Sequence, residues 1–88
     1  MTLSQIRNQI DSIDNDILNL ILKRMHYSES IAEIKFNNNI SILDEKREKD
    51  ILNNIKVKIP DKYTYILPIF KEILNSSKKI QKDVISNK

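Results

Sequence analysis

From Ile6 to Ile34 the chain places an apolar residue in alternating steps of four and three: Ile6, Ile10, Ile13, Ile17, Leu20, then Tyr27, Ile31 and Ile34. That spacing lines the side chains along one stripe of an α-helix and is the repeat of a coiled coil. One slot in the run is not apolar, and it holds Arg24. A second cation, Lys35, stands eleven residues later. Eleven steps of ~100° bring it back to within roughly 20° of the direction of Arg24. Two full positive charges therefore stand on a stripe where packing favours Ile or Leu.

The local signals divide the chain into three helices. Thr2 and Gln5 have the spacing of a capping box, so the first helix is expected from about Leu3 to about Lys35. Asn37 to Asn39 should end it, because Asn tolerates turn and left-handed conformations. Ser41 and Asp44 repeat the capping-box spacing ahead of a second helix, expected to end near Lys58, before Pro60. A third helix carries Tyr63, Ile66, Phe70, Ile73, Leu74, Ile80 and Val84 at helical spacing, with Asp61 as its N-cap. Pro68 interrupts it, so the helix either begins just before Pro68 or kinks there. The chain has no Gly, which argues against strands, hairpins and Gly-rich phosphate loops. The expected fold is all-α, three helices in a single domain spanning residues 1–88.

The first helix is too long for so small a domain. Some 33 residues at ~1.5 Å each make a rod of roughly 50 Å. A compact chain of 88 residues has a diameter of roughly 30 Å. The overhang would leave the apolar stripe exposed. Pairing with a second copy covers it, and the expected arrangement is an intertwined antiparallel homodimer.

Composition excludes several classes of function. The 88 residues include no Cys, so disulfide and thiol chemistry are out. The net charge is +3, with Lys and Arg interleaved among Asp and Glu. No basic stripe suggests nucleic acid as a partner. No apolar run approaches a membrane span, and Met1 is not followed by a signal-peptide pattern. The expectation is a soluble, cytoplasmic protein with no membrane partner.

All three helices carry polar groups on their apolar faces. Asp44 and Glu48 share a face with Ile51, Leu52 and Ile55, and Ser77 and Gln81 lie close to the direction of Phe70. Each has a plainer explanation. Arg24 can snorkel, Lys35 can favour a helix C-terminus, Asp44 can be a cap, and Ser77 can bond its own helix backbone. Taken together, six such groups on three buried faces indicate a shared polar site, since buried charge is costly unless paired. Tyr27 reads as core, and His26 points away from the stripe.

Arg7 flanks the stripe seventeen residues before Arg24, so roughly 25 Å away along the axis. The two cannot share a site within one chain. In an antiparallel pair centred near residues 18 to 19, Arg7 of one chain falls beside position 30 of the other. There it stands between Arg24 and Lys35.

The resulting site has three cations, two carboxylates and two neutral hydrogen-bonding side chains. It has no covalent nucleophile, no set of residues with metal-ligand spacing and no sign of a cofactor. It suits a small ligand with more than one carboxylate and a hydroxyl. Fixed donors around such a ligand can hold one conformer and stabilise charge as a bond breaks.

The segments IRNQIDSIDNDILNLILKR, AEIK, DEKRE and IFKEILNSSKKIQ, in that order and at that spacing, resemble the small all-helical (AroQ-type) chorismate mutases. The resemblance covers nearly the whole chain. It implies a three-helix chain in an intertwined dimer with two composite sites, converting chorismate to prephenate in aromatic amino-acid biosynthesis. It implies that Arg7 of the partner chain and Arg24 grip the substrate carboxylates. Lys35 would reach a carboxylate and the ether oxygen of the breaking bond, and Gln81 would donate to that same oxygen. Glu48 and the Asp44 region would hold the ring hydroxyl, Arg47 would organise the site, and Ser77 would lie near a carboxylate. Gln81, where some relatives have Glu, implies activity at neutral pH. Pro68 and the lack of Gly depart from the family pattern. Isochorismate pyruvate lyase on the same fold is a rival, as is a non-enzymatic helical dimerisation module. The set Asp44, Arg47 and Glu48 favours the mutase over the lyase.

Overall fold

The computed structural model describes residues 1–88 and contains three helices: α1, Leu3–Asn37; α2, Glu45–Lys58; and α3, Tyr63–Ser86. Thr2 opens α1 with a complete capping box. The Gln5 backbone N–H donates to Thr2 Oγ1 at 3.2 Å, and the Thr2 N–H donates to Gln5 Oε1 at 2.8 Å. Two of the otherwise unpaired N–H groups at the helix start are thereby satisfied. At the other end α1 runs two residues past Lys35, the expected terminus. Asn38 then closes it, its side-chain amide donating to the Ile34 carbonyl at 2.8 Å. Asn39 takes the left-handed conformation at φ 55° and turns the chain, as an Asn run permits.

Asp44 caps α2 by accepting from the Arg47 N–H at 3.0 Å. This replaces the expected Ser41–Asp44 box: Asp44 is the residue that caps, three positions before Arg47, and Ser41 lies outside the motif. α2 ends at Lys58, and a short link through Pro60 leads to α3. Asp61 is not the N-cap of α3. Lys62 occupies that position without a side-chain cap bond. The helix begins five residues ahead of Pro68 and continues through it, so Pro68 sits in the second turn. A break there costs less than in mid-helix, because little of the helix precedes it. The Lys56 ammonium lies 5.9 Å from the centre of the Tyr63 ring and ties the end of α2 to the start of α3.

α3 is the one helix that packs against both of the others. Its seam with α1 is made close by small side chains: Ser28 and Ala32 on α1 are buried, as are Leu74 and Gln81 on α3. These are the only four buried residues in the chain, so the core is a short seam at one end of α1. The other end projects. The molecule measures 54 × 28 × 14 Å, with a radius of gyration of 16.2 Å, against about 12 Å for a compact chain of this length. Along the projecting half the stripe stands in solvent, with Ile13 54% and Leu20 65% exposed. No helix is long and apolar enough to cross a membrane.

Candidate functional site

A cavity of about 480 Å³ lies where the C-terminal half of α1, the start of α2 and the second half of α3 converge. α1 contributes Arg24 and Lys35 to its wall, α2 with its cap contributes Asp44, Arg47 and Glu48, and α3 contributes Ser77 and Gln81. Seven of the eight residues singled out from sequence thus line one space. Arg7 does not. It lies on the projecting part of α1, roughly 25 Å along the axis from Arg24.

Each side chain is held by a local cause. Lys35 stands in the last turn of α1, and its ammonium donates to the Ile42 carbonyl at 2.7 Å. That bond fastens the α1–α2 link to α1 and fixes the lysine head at the cavity edge. The Asp44 carboxylate is engaged by the α2 cap, which places it and Arg47 at the same rim. Glu48, one turn into α2, pairs with the Lys78 ammonium at 3.1 Å. Arg24, Lys35 and Arg47 line the cavity and make no ion pair with any carboxylate, so no carboxylate neutralises their charge.

The α1–α3 seam supplies a directed chain of hydrogen bonds. Ser28 Oγ donates to the Arg24 carbonyl at 3.1 Å and meets Ser77 Oγ at 2.7 Å. A hydroxyl has one proton to give. With that of Ser28 spent on Arg24, Ser77 is the donor between the two serines. Ser77 in turn accepts from Gln81 Nε2 at 3.2 Å. The far end of the chain is Gln81 Oε1, which is buried and has no partner. An orphaned buried acceptor costs about 1–3 kcal/mol. A ligand hydroxyl removes that cost by donating to it. A half-turn of the amide would face the NH₂ group to the ligand as a donor, with Ser77 then donating to the amide oxygen in place of Ser28, because each hydroxyl has one proton.

Some of the wall was not read from sequence. Tyr27, taken as core, is 58% exposed and lines the cavity. Ser28 was passed over, although a small polar residue four positions after Arg24 shares its helix face. Lys78 is one of several lysines near the end of the chain. Its sequence neighbours give no sign of its tie to Glu48, a contact across 30 positions. No three His, Cys, Asp or Glu side chains stand close enough together to hold a metal ion.

The family model described as chorismate mutase type II matches residues 6–82. The chain belongs to the chorismate mutase type II family. The match begins just after the capping box of α1 and takes in the whole cavity wall through Gln81. Among curated proteins, the chain is similar to the chorismate mutase of Methanocaldococcus jannaschii, 46% identical over 54 residues, covering 61% of this chain and 54% of that protein. It is also similar to the bifunctional chorismate mutase/prephenate dehydratase of Buchnera aphidicola subsp. Baizongia pistaciae, 35% identical over 80 residues, covering 86% of this chain and 21% of that protein. The protein of the same name from Aquifex aeolicus is 30% identical over 88 residues, covering 93% of this chain and 24% of that protein. The chain therefore spans about half the length of the first of these relatives and under a quarter of the other two. No solved structure matches.

Proposed function

We propose that the chain is a chorismate mutase, an isomerase that converts chorismate to prephenate by intramolecular rearrangement, as a step of aromatic amino-acid biosynthesis. The observation that carries the proposal is the cavity wall: three unneutralised cations, an ion-paired glutamate and a buried amide surround one space in a chain of this family. The reaction breaks an ether C–O bond and forms a C–C bond within one molecule, so it needs no nucleophile, metal or cofactor. It needs the extended substrate folded into its reactive conformer and the negative charge on the departing oxygen stabilised. In this reading Arg24 and Arg7 of a second copy hold the two carboxylates. Lys35 and Gln81 donate to the ether oxygen. Glu48, with the Asp44 end of α2, receives the ring hydroxyl. Arg47 orders that rim, and Ser77 holds the Gln81 amide beside a carboxylate.

The working unit in this proposal is an intertwined antiparallel homodimer of 88-residue chains. Its support is the surface of the single chain. The accessible area is 7216 Å², against roughly 5,400 Å² for a compact monomer of this mass. The excess, roughly 1,800 Å² per chain, is of the size that obligate dimers bury. Pairing of the α1 stripes covers it and carries Arg7 to the other chain's cavity. A cytoplasmic location belongs to the same proposal. The chain has no Cys and so has no need of an oxidising compartment.

The direct test is purified protein with chorismate, following the loss of its ultraviolet absorbance and identifying the product, with isochorismate as the control. Prephenate formation supports the proposal. Pyruvate release from isochorismate without prephenate from chorismate would replace it with the lyase.

A further inference from the structure

We propose that Lys78 is a positioning residue that keeps Glu48 from neutralising the cations of the cavity, an inference that rests on the chorismate mutase reading. The only charged partner of Glu48 is Lys78, at 3.1 Å. The two carboxylate oxygens lie 3.1 and 3.5 Å from its ammonium, so the lysine faces both of them. Arg24, Lys35 and Arg47 line the same space with no carboxylate partner. Left alone, a carboxylate on a flexible two-methylene arm turns toward the greatest positive potential. In this cavity that is the side where the cations await ligand carboxylates.

Lys78 competes for the carboxylate from the opposite wall. It stands on α3 one residue after Ser77 and lines both the cavity and a second concavity that includes Lys79 and Lys82. Lys78 and Lys82 are four apart on the helix, and like charges at that spacing repel. Pairing with Glu48 offsets that repulsion. Both partners are about one quarter exposed. The pair is thus partly shielded from solvent, and its two contacts hold Glu48 on the α3 side.

This arrangement makes Lys78 matter for substrate capture more than for the bond-breaking step. The test uses the full chain and steady-state kinetics on chorismate. Lys78→Met keeps the aliphatic stem, so the fold is preserved, and its melting temperature should stay close to that of the unchanged chain. KM should rise about fivefold, the scale of a partly exposed ion pair, with kcat within twofold. Lys78→Arg should restore KM. In a Glu48→Gln background, Lys78→Met should add less than twofold to KM, because the group it restrains is gone. An unchanged KM in Lys78→Met, or the same fivefold rise with Glu48→Gln present, overturns the positioning role while leaving the mutase reading intact. No turnover by the unchanged chain overturns both.

Discussion

The hydroxyls of Ser28 and Ser77 meet at 2.7 Å, joining α1 to α3 across 49 positions of sequence. They sit at the centre of the small core, and the chain of bonds that starts at the Arg24 carbonyl passes through them to Gln81. Packing and site geometry therefore depend on the same contact. Ser28 is 2% exposed and Gln81 5%, so losing either partner leaves a poorly solvated polar group.

Ser28→Ala removes the middle of that chain. The expected loss of stability is about 1 kcal/mol, the usual net worth of one such bond. Activity should fall about fivefold as Gln81 loses its fixed orientation. Thermal melting and kcat/KM on the same preparation check both. A variant equal to the parent in each would show that the serine pair does not hold the amide.

Lys35→Ala and Gln81→Ala should each lower kcat by ~10²–10³, as loss of one preorganised donor does elsewhere. Glu in place of Gln81 adds a directional check. An ionised carboxylate only accepts hydrogen bonds, and the acid form donates. Gln81→Glu should therefore lose activity near neutrality and regain it as pH falls. A loss below threefold in either alanine variant contradicts the assignment of that residue.

The sequence showed most of the fold, for identifiable reasons. The four-three repeat and the Thr2–Gln5 box placed α1, because both signals are local and the chain there obeys them. The start of α3 was less legible. Asp61 is a better cap by type than Lys62, but the turn through Pro60 decides which residue precedes the first helical one. Six of the eight site residues are visible as polar groups on apolar stripes, a period that follows from helix geometry alone, whereas Arg47 is supplied by the family resemblance. Ser28 and Lys78 were not visible in this way. Each owes its role to a residue on another helix, and a single-helix pattern does not record such partners.

Ile13→Asp puts a charge on the exposed stripe of α1, far from the cavity. If the stripe is the homodimer interface, the variant should elute at half the parent's mass and lose turnover at micromolar concentration, since a charge buried in an apolar interface costs several kcal/mol. Sedimentation and the chorismate assay read the two effects. A variant that remains dimeric and active places the interface elsewhere.

Pro68→Ala tests the α3 geometry. Pro68 has no N–H to give to the turn before it, although the helix runs through. Alanine supplies that donor and removes the ring, and should stabilise the fold by less than the ~3 kcal/mol that a mid-helix proline costs. Catalysis should not change, because Pro68 is not part of the cavity wall. A lower melting temperature would contradict this account of Pro68.

The account depends most on a site built from two chains, and complementation tests that claim most directly. Arg7→Ala and Arg24→Ala chains, each inactive alone, are unfolded together, refolded and assayed on chorismate. Random pairing makes half the dimers mixed, each with one intact site, so activity should return to roughly a quarter of the unmodified level. Mixed dimers that form in that proportion and remain as inactive as either parent would contradict it.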